Sequence, residues 1–346
     1  MKSYIIALDA MGGDNAPGAI VAGGVAALRA FEDLRLLLAG PEAELHALLT
    51  DDHDVRDRIE ILPADEVITM DEPPMLAVRR KVNSSLVQAM MAVHEGRAQA
   101  VVSAGSTGAV LAGGMLRMGR IPGVERPALA PVLPGLKKPF LLIDCGANVD
   151  CQPKYLTQFG LMGSVYMKSV MGVEDPAVGL VNIGVEEEKG NKLTKEAYQL
   201  MKRQTSYRFV GNCEARDIPT GEFDVVVTDG FAGNVILKYT EGIVGTVTAM
   251  LKHRMMETKR TKLGAYMAKP AFKAFKKDMD YNAVGGAPML GVQGAVVKAH
   301  GSSGEVAIMN AIRQAREMLV GDVVGKISTG LSGLAEERDV GQNPHL

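Results

Sequence analysis

Seven short runs, almost wholly apolar, recur along this chain, and most of them end in a polar loop rich in glycine. The runs are Tyr4–Leu8, Arg35–Ala39, Ala100–Ser103, Phe140–Ile143, Val178–Val181, Arg208–Val210 and Val225–Thr228. A strand with one face in water alternates apolar and polar residues, whereas a strand covered on both faces has no need to. These runs therefore predict buried strands of a mostly parallel sheet. Between them the apolar spacing is helical, over Gly18–Ala30, Ser84–His94, Thr107–Arg117, Tyr155–Lys168 and Asn191–Lys202. Such dense strand–helix alternation points to a doubly wound α/β architecture. The 346 residues suffice for one large core, and we expect a single α/β catalytic domain over 1–346 with a protruding amphipathic helical arm at 240–282.

Five polar loops follow strand candidates: Asp9–Asp14 (DAMGGD), Ser103–Gly108 (SAGSTG), Asp144–Asn148 (DCGAN), Asn182–Gly184 (NIG) and Asp229–Asn234 (DGFAGN). All five are expected to open on one edge of a parallel sheet, where α/β proteins bind ligands. Ser103, Gly105, Ser106, Thr107 and Gly108, at a helix start, would aim free amides and hydroxyls at one phosphate-type anion. Asp229–Asn234 is a second candidate phosphate-type site, with Gly230 and Gly233 as phosphate contacts through close backbone approach, and Asn234 with Lys238, one helical turn further on, as catalytic candidates. Ser84 and Ser85, behind Arg79, Arg80 and Lys81, read either as a helix cap or as further phosphate contacts. Asp229 and His300 are the proton-handling candidates. Asp229 is expected to orient Lys238 or a backbone amide, and His300 is either a core histidine capping a helix or a catalytic one.

Several chemistries are excluded by pattern. No two glycines are spaced G-x-G, so the dinucleotide fingerprint is absent, and there is no P-loop, H-E-x-x-H or G-x-S-x-G. The six histidines are scattered and Cys145, Cys151 and Cys213 lack zinc spacing, so no metal site is expected. Glu186–Glu188 reads as a solvated acidic turn. The odd cysteine count fits reduced thiols in a cytoplasmic protein. A net charge of −2 and 5% aromatic residues argue against nucleic acid as a partner. The longest uncharged run, Ala98–Leu116, contains SAGSTG, which no lipid-exposed helix tolerates.

One segment differs in composition. Lys252–Lys277 carries Lys252, Arg254, Lys259, Arg260, Lys262, Lys269, Lys273, Lys276 and Lys277 against the single acid Glu257, a balance of +8 that leaves −10 for the rest. Ile243, Val247, Leu251 and Met255 repeat at i, i+4, and Phe272, Phe275 and Met279 continue an apolar stripe after Pro270. Two helices joined near Thr258–Gly264 are expected, their basic face meeting an acidic partner or anionic lipid, or simply solvent on an oligomer arm.

The series DAMGGD, SAGSTGA (Ser103–Ala109), DCGANVDC (Asp144–Cys151), GLVNIGVEEEKGN (Gly179–Asn191), CEARDI (Cys213–Ile218), VVVTDGFAGNVILK (Val225–Lys238), GGAPMLG (Gly285–Gly291) and KAHGSS (Lys298–Ser303) closely resembles the phosphate acyltransferase (PlsX) family, in order and over nearly the whole chain. Ser106 stands where the family's loop usually has Asn, keeping a donor but losing reach. The resemblance implies acyl transfer from acyl carrier protein to inorganic phosphate, giving acyl phosphate for phospholipid synthesis. It also implies an isopropylmalate-dehydrogenase-like fold, a homodimer, no cofactor, and peripheral attachment to the cytoplasmic membrane. A downstream membrane glycerol-phosphate acyltransferase would be a further partner. Two alternatives remain at this point: a coenzyme A-dependent phosphotransacylase, and a non-enzymatic membrane-associated scaffold for acyl carrier protein.

Overall fold

The computed structural model describes residues 3–278 and 285–340. Its strands are β1 (Tyr4–Asp9), β2 (Leu34–Gly40), β3 (Ile59–Pro63), β4 (Ala100–Ser103), β5 (Ala128–Leu129), β6 (Val132–Leu133), β7 (Phe140–Ile143), β8 (Ala177–Asn182), β9 (Arg208–Glu214), β10 (Val225–Val227), β11 (Ala287–Leu290) and β12 (Ala295–Lys298). All seven apolar runs are strands. They do not share one sheet, however.

Seven strands form a sheet in the order β3-β2-β1-β4-β12-β11-β5, and five form another in the order β6-β7-β10-β8-β9. The expectation of a single sheet edge is thus corrected. The divide lies between β5 and β6, where Ala130 and Pro131 interrupt the run and carry the chain from the first sheet to the second. The first sheet is parallel from β3 to β12, with β11 antiparallel to both of its neighbours. In the second, only the β6–β7 pair is antiparallel. Doubly wound character shows in the first sheet, whose order reverses at β1 beside β4.

The helices are α1 (Gly18–Ala30), α2 (Glu42–Leu48), α3 (Pro74–Arg80), α4 (Ser85–His94), α5 (Thr107–Gly113), α6 (Pro153–Ser169), α7 (Lys192–Lys202), α8 (Gly230–Met255), α9 (Lys259–Met267), α10 (Lys269–Asp278), α11 (Glu305–Val320) and α12 (Val323–Val340). A π-helical stretch, Gly114–Met118, extends α5. One apolar cluster reaches from Ile6 and Leu8 of β1 through Leu156 and Phe159 of α6 to Val178 and Val225, so both sheets share a core. A second cluster, with Val87 and Met90 of α4 and Val101 of β4, covers the other face of the first sheet.

The arm leaves this body along α8. Ile243, Val247 and Leu251 are exposed, and α8 and α10 border a groove of about 980 Å³ lined by Ile243, Val247, Leu251, Met255, Phe272 and Phe275. The arm holds three helices rather than the expected two. Thr258–Gly264 is no joint: Thr258 caps α9, accepting from the Thr261 amide at 3.1 Å while its own amide donates to Thr261 Oγ at 3.2 Å. Pro270 does sit in the first turn of a helix, where its missing N–H costs nothing. The side chains of Lys276 and Lys277, and all of Met279, lie outside the described residues. Among the described residues, no helix is long and apolar enough to cross a membrane.

Candidate active site

Three neighbouring strands of the first sheet, β1, β4 and β12, end in Asp9, Ser103 and Lys298. Because all three run parallel, their C-terminal ends share one edge, and Ser103 and Lys298 are register partners. Asp9 is 2% exposed, Ser103 1% and Lys298 8%. The Ser103 and Ser85 hydroxyls each donate to the Asp9 carboxylate at 2.6 Å, and the Met11 amide adds a third donor. Burial raises the Asp9 pKa, and these donors together with the positive charge of Lys298 oppose that rise.

The loops beyond these strands interlock by backbone. Ser103 Oγ also accepts from the Gly105 amide at 3.0 Å, the Asp14 amide donates to the Gly301 carbonyl at 2.8 Å, and the Ala299 amide to the Ser103 carbonyl at 2.9 Å. Gly12 is where this packing is tightest. A Cβ there would lie 2.5 Å from Asp9 Oδ2 and 2.8 Å from the Gly105 nitrogen, so any side chain would displace the carboxylate or the loop. The segment DAMGGD thus clamps SAGSTG rather than serving as a separate site.

The second sheet contributes a different wall. Asp144, fully buried after β7, accepts from the Leu129 and Ala147 amides at 2.9 and 3.2 Å, and from the Asn148 amide and side chain at 2.7 and 3.0 Å. It thereby ties the 144–148 loop to β5. Gly230 and Gly233 face this loop: a Cβ on Gly233 would lie 1.9 Å from the Asp144 carbonyl oxygen. Their close approach seats α8 against the backbone of 144–148. Asp229 caps α8 by accepting from the Ala232 amide at 2.8 Å, which is the amide-orienting role rather than the Lys238-orienting one. Lys238 pairs instead with Glu241 at 2.8 Å and is 58% exposed.

The remaining sequence candidates fall as follows. Ser84 is buried, but its hydroxyl donates to the Lys81 carbonyl at 2.8 Å. Ser106 is buried at the head of α5, Thr107 is exposed beside it, and Gly108 is half-buried. His300 is exposed rather than a core residue, and its Nδ1 accepts from the Ser302 amide at 3.2 Å in a tight turn. Asn234 is exposed, next to Gly146. Lys81, grouped with Ser84 in the sequence, is engaged by Glu72 at 2.6 Å. Glu186–Glu188 is an exposed turn in which Glu187 pairs with Lys202 at 2.6 Å. Burial pushes the Cys151 and Cys213 thiols up to about 12 and Cys145 well above its ordinary value, so none is a thiolate at neutral pH.

Lys298 was not among the sequence candidates. Its Nζ donates to the Ala299 carbonyl, and no carboxylate lies within 4.0 Å of it among the described residues. Burial lowers its pKa to about 8; Asp9 and Asp14 raise it through space, and the charge of Lys238 on α8 lowers it. Further along the same loop, Ser303 Oγ is buried without a hydrogen-bond partner.

The mostly parallel α/β body has counterparts among solved structures. The fold is similar to the EutD phosphotransacetylase from Staphylococcus aureus (16% identity, TM-score 0.58, covering 91% of this chain and 94% of that one). It is likewise similar to a phosphotransacetylase from Streptococcus pyogenes (15% identity, TM-score 0.59, covering 92% and 94%). At those identities the likeness speaks for fold alone. The family described as fatty acid synthesis protein matches residues 4–326, and the chain belongs to it, the PlsX acyltransferases. The chain is 50% identical over 332 residues to the phosphate acyltransferase of Clostridium botulinum (strain Loch Maree / Type A3), covering 96% of this chain and 99% of that one. It is also 50% identical over 330 residues to the phosphate acyltransferase of Clostridium acetobutylicum, covering 95% and 99%.

Proposed function

We propose that the protein transfers a fatty acyl group from acyl carrier protein to inorganic phosphate, releasing acyl phosphate for phospholipid synthesis in the cytoplasm. The observation that carries this reading is the buried Asp9–Ser103–Lys298 cluster at the strand ends of the first sheet, within a family of phosphate acyltransferases. Phosphate at neutral pH is largely a dianion and already a nucleophile. One of its oxygens attacks the thioester carbonyl, the new C–O bond forms, the C–S bond breaks, and the carrier thiolate takes a proton from solvent. Neither a serine nor a cysteine nucleophile is needed, nor any cofactor, in keeping with thiols held protonated by burial.

The work left to the protein is to place two reactants and to stabilise the tetrahedral oxyanion. Orientation is worth ~7–11 kcal/mol and one preorganised oxyanion donor ~3–4 kcal/mol. We assign phosphate contacts to Ser103, Gly105, Ser106, Thr107 and Gly108, and contacts to the reacting carbonyl to Asn234 and Lys238. Ser85 and Asp9 hold Ser103 in place, while Gly230, Gly233 and Asp229 set the angle of α8.

The arm supplies the partners. Its exposed apolar stripe is covered by a second copy of the chain, and its basic side chains face the acidic carrier protein or anionic lipid, which would bring the product near a membrane glycerol-phosphate acyltransferase. The decisive assay incubates purified protein with phosphate and either acyl carrier protein thioester or acyl coenzyme A, and traps acyl phosphate with hydroxylamine as the hydroxamate. Product from the carrier-protein donor alone supports the proposal. Product from coenzyme A alone makes the protein a phosphotransacylase of the ordinary kind, and none from either leaves a scaffold.

A further inference from the structure

Lys298 poses a physical problem that the neighbouring side chains do not resolve. A buried ammonium ordinarily sits against a carboxylate, because burial without a partner costs several kcal/mol. Here one of three N–H donors reaches a carbonyl, Asp9 acts only through space, and a second cation adds repulsion. Asp9 itself is saturated by Ser85, Ser103 and Met11, so it is poorly placed to turn toward the lysine. A buried ammonium with unused N–H donors, beside an interlocked amide-rich loop at the ends of β4 and β12, calls for a small multivalent anion.

We infer that Lys298 is the buried anchor of a tetrahedral oxyanion, inorganic phosphate in the reaction proposed above. The inference rests on that reading for the identity of the anion, and on the buried, singly bonded ammonium for the place. Lys298 lies beside Ser103 in register, so an anion on its free N–H groups also meets the hydroxyl and amide end of the SAGSTG loop. The site stays rigid because Gly12, Gly105 and Asp9 fill one another's space. The lysine needs no movement to bind. It exchanges an unfavourable burial for a charge-assisted contact.

The test uses the whole protein and inorganic phosphate without any acyl donor. Wild-type protein is treated with an amine-acylating reagent at pH 8 over a phosphate series, and labelled lysines are identified by mass spectrometry. Phosphate is expected to protect Lys298 from labelling selectively over the exposed Lys259 and Lys262. In parallel, Lys298→Met is expected to weaken phosphate binding, read by calorimetry, by roughly 30-fold or more. Lys238→Gln should cost less, about 3–10-fold, since that side chain is largely solvated. Phosphate that binds with unchanged affinity to Lys298→Met, or that protects other lysines and leaves Lys298 reactive, overturns the inference. Binding at Lys298 with no acyl phosphate from either donor would instead retain the anion site and reject the acyl-transfer reading.

Discussion

Lys298 and Ser103 face each other across the β4–β12 ladder, and the Ser103 hydroxyl donates at 2.6 Å to Asp9, which closes the adjacent strand β1. Three side chains of different chemistry therefore occupy one rung of a buried parallel sheet. Burial acts against the charge of both ionisable members, and each opposes that effect in the other. The pair is expected to behave as a unit, and replacing either should be felt at the other.

Asp9→Asn tests that coupling. Ser85 and Ser103 bond opposite oxygens of the carboxylate, so the amide oxygen keeps only one of these two donors, and the negative charge is gone. Three charged groups act on Lys298, namely Asp9, Asp14 and Lys238, and Asp9 heads them. Only protonated Lys298 holds phosphate, so wild-type affinity should fall as pH rises through about 8. In Asp9→Asn the fall should begin nearer neutrality, with turnover at pH 7.5 reduced roughly tenfold. An alkaline limb unchanged by the substitution would separate Asp9 from Lys298.

Stability should move the other way for Lys298→Met. Lys298 binds its proton less tightly in the folded chain than the ordinary value of 10.5, so the unfolded chain holds more protons between about 8 and 10.5. The charged form thus subtracts from stability below about 8, and the penalty fades as pH climbs toward 10.5. Without phosphate, the methionine variant should gain on the order of 2–3 kcal/mol at pH 7 and less at pH 9.5, read by urea unfolding. Loss of stability at both pH values would show that Asp9 compensates the buried charge already.

Substitutions on α8 separate chemistry from folding. Asn234→Ala and Lys238→Gln should lower turnover at least tenfold yet change stability by less than about 1 kcal/mol, because the Lys238–Glu241 pair is exposed. Asp229→Ala should do the reverse, costing about 1 kcal/mol through the lost cap while retaining most activity. Equal rates for all three at saturating phosphate would remove α8 from the reaction.

Much of this was legible before the fold. Val225–Val227 and Phe140–Ile143 are strands because an unbroken apolar run suits only a strand covered on both faces. The glycine loops do follow strand ends, but those after Asp9 and Ser103 belong to the first sheet and those after Ile143, Val181 and Thr228 to the second. Hidden were strands such as β11, where Pro288 breaks the pattern, and β5 and β6, two residues each, whose crossing divides one expected sheet into two. Asp9 and Lys298 were missed as candidates for a related reason. Each is a lone charge closing a buried strand, and the strand β12 that carries Lys298 is only four residues long. Gly230 and Gly233 had the opposite fate: close approach was legible, but its target, the 144–148 backbone, is a tertiary matter.

The arm gives the last prediction. Lys259, Lys262, Lys269 and Lys273 are exposed on α9 and α10, beside an apolar groove that a single copy leaves open. Replacing these four with Gln should weaken binding to vesicles containing anionic lipid, or to acyl carrier protein, while turnover at saturating donor stays near wild type. At about 1 kcal/mol per basic side chain near an anionic surface, four account for up to roughly a thousandfold. If the contact is electrostatic, wild-type binding falls steeply between low and physiological salt, and the variant loses most of that slope. Neutral vesicles and acidic vesicles, measured beside the carrier protein, identify which partner the charges meet. The apolar side is read separately: Val247→Asp and Leu251→Asp should dissociate a dimer in sedimentation, because a charge in that groove has no counter-ion once a second copy covers it. A monomeric wild type, with salt-independent binding to either partner, would reduce the arm to a solvated extension of α8.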